Sequence, residues 1–224
     1  MSEAPGWQAI DAALRPLYGQ TRPAHWGTVQ PYSLGGPDPL DGVSAYPRSE
    51  PVPHWHYIGY GLSELHEKEW DDPNISGWGF EFTFRLARRP EENDAPNWPA
   101  GFLQTLARYV IQSGKWFEPG HTIKANGPLD PERAESRIQA FAFTVDPELG
   151  AIDTPHGRLR FLQAVGLTMT EYRAALGGKA IDLLSTLESR IPLLCTNLDR
   201  DSLVSEPKPQ ASWPMWGGGL RGRG

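Results

Sequence analysis

The 224-residue chain carries a single cysteine, Cys195, so no disulfide can close within it. That usage fits a reducing compartment, and the cytoplasm is the expected location. No stretch approaches 18 apolar residues, which excludes a membrane-spanning helix, and no basic segment followed by an apolar one opens the chain as a secretory leader would. Lys and Arg number 21 against 27 Asp and Glu, a formal net charge of −6, and the basic residues never gather into a block. Without a positive track the chain has nothing to follow a phosphate backbone, so nucleic-acid binding is disfavoured. Catalytic signatures are missing as well. There is no Gly-x-Ser-x-Gly elbow, no His-Glu-x-x-His and no cysteine cluster. The one glycine-rich run that suggests a phosphate loop, "GWGFEF", has Trp and Phe where backbone N–H groups would need open access.

What the chain has in quantity is glycine (24), proline (22) and tryptophan (9). The first two predict many turns and short elements. Hydrophobic residues at 39% and charged residues at 21% describe one globular domain, or two small ones, with a sizeable core. Residues 6–18 place Trp7, Ile10, Leu14 and Leu17 on one helical face, with Pro16 ending or kinking the last turn. The Gly/Pro-punctuated stretch from Gly35 to Pro53 reads as an ordered loop. A β pattern runs over 55–60. Residues 77–89 form the clearest strand, with Trp78, Phe80, Phe82, Phe84 and Leu86 on one face. Gly79, Glu81, Thr83, Arg85 and Ala87 lie on the other, so the spacing predicts a sheet packed on one side and polar outside. Residues 97–114 are a helix with Pro99 in its first turn and Gly114 at its stop. Further strands are expected at 137–145 and 157–167, and a last short one in "RIPLLCTNL". Thr168 and Glu171 have capping-box spacing, and a helix over 179–189 turns Ile181, Leu184 and Leu187 inward. From residue 205 hydrophobic periodicity stops, and 205–224 reads as a mobile Pro/Gly/Trp tail behind a domain of residues 1–204. The class is α+β: one domain with a central, mostly antiparallel mixed sheet flanked by helices.

Two histidines stand out in "PHWHYIGY". On a strand His54 and His56 share a face, so the pair could chelate a metal. A third ligand would have to come from His66, His121 or Asp72, and none is local. The competing assignment makes them hydrogen-bond to loop backbone or sit half-exposed at a sheet edge. A hydrolase or metal-dependent enzyme built on His54, His56 and an acidic residue is the alternative function. The favoured one has no cofactor, no metal and no catalytic residue: an aromatic-rich acidic domain lacking a catalytic set fits protein binding. Trp116, Trp213 and Trp216 are interface candidates, because each sits in a Gly/Pro-rich stretch outside a periodic element. Cys195, after Leu193 and Leu194, reads as buried packing.

Seven stretches, "GGPDPLDGVSAY", "PHWHYIGYGLSEL", "SGWGFEFTFRLAR", "WPAGFLQTLARYVIQSG", "GPLD", "ESRIQAFAFTVDPELG" and "TPHGRLRFLQAVGLT", together resemble the Suppressor of fused family in order and spacing over roughly residues 6–200. The resemblance implies a non-enzymatic role. Animal members are cytoplasmic regulators with two halves that sequester zinc-finger transcription factors, whose short peptide adds as a strand between the halves; this sequence resembles the first half. Short bacterial members are associated with polymorphic toxins, which implies an immunity protein that binds a toxin. By the same resemblance Tyr109 matches a tyrosine near the peptide groove, and His121 stands where animal members carry an aspartate. With Trp116 and Phe117 of the intervening loop, these form the expected partner-binding set.

Overall fold

The computed structural model describes residues 4–30 and 32–206. Its centre is an eight-stranded mixed sheet in the order β1-β2-β3-β4-β8-β6-β5, with β7 paired to β8. The strands are β1 (Ala24–Gly27), β2 (Gly42–Arg48), β3 (His54–Tyr60), β4 (Ile75–Ala87), β5 (Thr122–Lys124), β6 (Ile138–Val145), β7 (Ala151–Thr154) and β8 (Gly157–Thr168). All neighbours are antiparallel except β4 and β8. The helices are α1 (Pro5–Tyr18), α2 (Trp98–Ser113), α3 (Met169–Ala175) and α4 (Ala180–Glu188). This is the α+β class that the sequence implies.

The helix signals work as read. Pro5 opens α1, and Pro16 is tolerated in its last turn before Gly19. Gly114, at φ +64°, ends α2 in the left-handed conformation, its N–H donating to Val110 O at 2.9 Å. Thr168 and Glu171 close a capping box on α3. In α4 the inward stripe is Ala180, Leu183, Leu184 and Leu187, whereas Ile181 is 62% exposed and faces out. The small Ala180 packs where the larger residue was expected.

Two strand readings are corrected. The stretch taken as an ordered loop contains β2, and Pro47 sits in it without harm: β1 reaches only to Ala45, so at Pro47 the outer side of β2 is a sheet edge, where a missing N–H goes unnoticed. "RIPLLCTNL" forms a 3-10 turn at Pro192–Leu194, followed by a single parallel bridge between Thr196 and Leu86. The tail lies outside the described residues from 207 onward, including Trp213 and Trp216. Ser205 and Glu206 are described, and Glu206 takes Arg173 Nε at 3.1 Å.

One face of the sheet carries Val43, Trp55, Tyr57, Phe82, Phe84, Phe141 and Phe143 against Leu103, Leu106 and Val110 of α2. The other face is not open. At one end α1 packs Ile10, Leu14 and Tyr18 on Ile58, Tyr60 and Phe161. At the other, α3 and α4 cover Ala140, Ala142, Val165 and Leu167. The polar side of β4, expected to meet solvent, lies beneath these layers. Glu81, Thr83 and Arg85 are fully buried, and each has partners, as buried polar groups require. Glu81 accepts from the backbone N–H of Gly61 (2.9 Å) and Ser63 (2.8 Å) and from the Ser63 hydroxyl (2.6 Å).

Candidate partner-binding site

At one end of the sheet, among the described residues, β5 is hydrogen-bonded on one side only. It pairs with β6 through Thr122 to Ala142, Ile123 to Phe141 and Lys124 to Ala140. Ala125 donates inward to Gln139 O at 3.0 Å. The alternation of an antiparallel ladder therefore turns the N–H and C=O of Thr122 and Lys124 outward. Short free edges are where an extended peptide can add as a further strand.

The loop from α2 to β5 rises beside this edge. Phe117 is its buried hub, 6% exposed, with Phe143 at 4.6 Å and Phe82 at 5.9 Å between ring centres. Tyr109 and His121 lean on the hub from either side, at 5.7 Å and 6.3 Å. Tyr109 stays 42% exposed, and Lys115 lies over its ring. His121 is exposed and fixed: its Nδ1 accepts from Glu118 N–H at 3.3 Å, and its carbonyl accepts from Phe143 N–H at 2.9 Å. The structure thus brings Tyr109, Phe117 and His121 together, with Phe117 as floor and not as contact surface. Trp116, 43% exposed, points the other way, edge-on to Trp78 at 6.0 Å.

The loop-backbone bond expected of the two histidines is made by His54, to Val52 O, whereas neither is half-exposed or at an edge. Strand β3 lies inside the sheet, between β2 and β4, so neither histidine is at an edge, and both are fully buried. His54 Nδ1 is 2.8 Å from Val52 O, which makes Nδ1 the protonated nitrogen and leaves the buried Nε2 without a partner among the described residues. His56 Nδ1 meets the Tyr18 hydroxyl at 2.5 Å, and Nε2 lies 3.0 Å from Asp146 Oδ2 at a poor hydrogen-bond angle. Arg85 grips Asp146 with both guanidinium ends (2.6 and 3.1 Å), reaches Glu148 at 2.9 Å and contacts Gln163. Burial, reinforced by the Arg85 charge, lowers His56 to about 4. Burial also lowers His54 to about 4 against its bond to Val52. Burial by itself would raise the Asp146 carboxyl, but His56 and Arg85 outweigh it and hold it well below the usual carboxylate range. The chain Tyr18–His56–Asp146 has the members of a proton relay, yet no substrate can reach it. Among the described residues no three His, Cys, Asp or Glu side chains are grouped to hold a metal, and His66 and His121 lie apart from the pair. Sequence reasoning missed this network, because the polar positions of β4 look the same whether water or Asp146 faces them.

Residues 36–201 match the family model described as Suppressor of fused protein (SUFU). The chain belongs to the Suppressor of fused family. It is 41% identical over 220 residues to the Suppressor of fused homolog of Homo sapiens, covering 91% of this chain and 45% of the human protein, and stands in the same relation to the Mus musculus homolog. It therefore spans about half the length of these relatives. Among solved structures, a chain of a Sufu–Fu complex superposes with a TM-score of 0.80 at 36% identity, covering 89% of this chain and 92% of that one. Drosophila Suppressor of Fused gives 0.80 at 34% identity, with 89% and 51% covered. A SUFU homologue from Neisseria gonorrhoeae, at 18% identity and a TM-score of 0.57, shares the fold. Within the family signature, "HWHY" is core: it holds α1 to the sheet through Tyr18 and the sheet to the segment after β6 through Asp146.

Proposed function

We propose that this chain is a non-enzymatic protein-binding module that captures an extended segment of a partner protein along the free edge of β5. The observation that carries the reading is the outward-facing backbone of Thr122 and Lys124, flanked by the exposed Tyr109 and the fixed His121. Added-strand hydrogen bonds supply affinity, and side chains beside the edge select the sequence. The family setting supports a protein partner, since one similar structure is a complex of Sufu with Fu. In its finer form the proposal is an immunity-type protein of the bacterial cytoplasm that covers the working surface of a cognate toxin. No helix among the described residues is long and apolar enough to cross a membrane. The test is Lys124→Pro. It removes one outward N–H while leaving the inward bonds of Ile123 and Ala125 in place, at an edge position that accepts proline. A partner retained by the wild-type chain in pull-down from its native host should be lost by this variant at an unchanged thermal midpoint. Equal retention by the folded variant refutes strand capture at β5.

A further inference from the structure

Between β3 and β4 the chain makes an exposed loop, residues 66–74, with no regular structure. Such a segment would ordinarily sample many conformations. Here one buried carboxylate fixes it. Glu64 Oε1 accepts from the backbone N–H groups of Glu69 (2.5 Å) and Trp70 (2.7 Å), while Oε2 accepts from Gly77 N–H (3.1 Å) and the Lys68 ammonium (2.7 Å). Asp72 Oδ1 closes the far end by accepting from Asn74 N–H at 2.8 Å. The clamp sets Trp70 edge-on to Trp78, with ring centres 5.3 Å apart, and Trp78 edge-on to Trp116. Trp70 is nevertheless 40% exposed. Three indoles thus form a ridge from this loop to the loop after α2. Beside the ridge, the register shift between Ile75 and Phe80 parts β4 from β8 and opens a hollow of about 440 Å³, walled by Ile75, Phe80, Trp116 and Leu162.

Charge says what this surface takes. Glu67, Glu69, Asp71 and Asp72 are exposed on the same loop, and none of them forms an ion pair among the described residues. The loop's one lysine, Lys68, is turned to Glu64 and Ile75 O. Arg160, which lines the hollow, is engaged by Glu118 at 2.8 Å, and Arg158 stands at the end of the loop, its backbone N–H donating to Asn74 O at 2.8 Å; four exposed carboxylates against that one arginine leave the loop negative. Indole faces beside unpaired carboxylates suit a guanidinium, which stacks and pairs at once, better than the strongly hydrated ammonium of lysine. We infer that the Trp70–Trp78–Trp116 ridge is a docking surface for an arginine-bearing linear segment of a partner protein, with an adjacent apolar side chain in the hollow. Because Glu64 has already fixed the loop, binding loses little conformational entropy. The inference rests on the reading of the chain as a protein-binding module, but on a different surface from the β5 edge.

The experiment is fluorescence anisotropy with the labelled peptide Arg-Pro-Leu-Arg-Pro-Leu and its Glu-for-Arg and Gln-for-Arg counterparts, using the full chain. The arginine peptide should bind saturably, at least tenfold tighter than either counterpart, and weaken as NaCl rises from 50 to 300 mM. Trp70→Ala should weaken it at least tenfold. Asp71→Asn with Asp72→Asn, which keeps the bond to Asn74, should weaken it and flatten the salt dependence. Lys124→Pro should leave it unchanged, so loss of strand capture and loss of ridge binding are read separately. No saturable binding overturns the inference, as does equal binding of the Gln peptide, which would make the ridge a plain proline-segment groove. Undiminished binding by folded Trp70→Ala or by the Asp71/Asp72 variant overturns it too. So does concentration-dependent self-association abolished by Trp70→Ala, which would assign the ridge to a second copy of the chain.

Discussion

Replacing His54 by asparagine should remove a defined part of the acid sensitivity of this fold. In the native state His54 Nδ1–H bonds Val52 O, and an asparagine Nδ2 can take that place. A second proton would have to go on Nε2, which is buried and faces no acceptor. Hence the depressed value of about 4 against the ordinary 6.5. A group whose pKa is lower folded than unfolded contributes stability that is complete above the unfolded value and lost as pH falls toward the folded one. For His54 the window runs from about 6.5 down to about 4. At about 1.4 kcal/mol for each pH unit, the loss between pH 7.5 and 4.5 comes to about 2.5 kcal/mol. His56 adds a similar slope over the same window. Glu81 works in the opposite sense: burial lifts it to about 7 against its four donors, so its proton is favoured by the folded state as pH falls. The total slope of the wild type is therefore a sum of opposed parts, and the difference from the variant isolates one of them. Urea unfolding of the wild type and His54→Asn at pH 7.5, 6.5, 5.5 and 4.5 reads it directly. The gap between the two curves should shift by about 2.5 kcal/mol in favour of the variant as pH falls. Parallel curves, within about 0.5 kcal/mol, would refute the account of His54 as a neutral, buried histidine with an unpartnered nitrogen.

Three further outcomes are expected. Asp146→Asn leaves the Arg85 guanidinium buried with only Glu148 as counter-charge, and should cost about 3 kcal/mol or more in urea unfolding at pH 7, whereas pairing it with Arg85→Met should recover part of the loss. Burial pushes the Cys195 thiol up to about 12, so the native protein should react with a disulfide reagent at pH 8 far more slowly than the urea-unfolded chain does. His121→Ala should weaken a retained partner by about 1 to 2 kcal/mol in calorimetric titration, with the thermal midpoint nearly unchanged because the side chain is exposed.

The elements with strong local signals could be read from the chain alone. Helix α1 shows its stripe, α2 has Pro99 and Gly114 at its ends, α3 has its capping box, and β4 alternates without a break. What escaped was set by neighbours far away in sequence. Strand β2 was hidden by Pro47, whose tolerance depends on β1 ending opposite Ala45. Ile181 and Leu183 differ by about half a turn, and only the packed sheet decides which faces in. The polar face of β4 was recognised as a face but misplaced, since burial of Glu81 and Arg85 depends on the loop at 61–63 and on Asp146. At the site, the family likeness pointed to Tyr109 and His121, and the structure sets both on Phe117. Of the ridge, Trp116 had a signal in its Gly/Pro-rich surroundings and Trp70 had none, while Trp78 reads as core and does pack partly buried against it, beside the bulge at Ile75–Phe80.

The parallel joint between β4 and β8 also governs how the chain comes together in time. The first four strands form a local meander, and β6 and β7 both pair antiparallel with β8, so each group can assemble from near neighbours. The joint pairs Phe80 with Arg160 across 80 residues of chain, the kind of distant closure that is late and slow. Until it closes, β4 and β8 are naked edges with wide apolar faces, the state in which a folding chain sticks to its own kind. The buried cluster of Arg85, Asp146 and Gln163 spans this seam, so an incorrectly registered closure would strand a charged guanidinium in the interior. The polar cluster thereby penalises every other register of this seam.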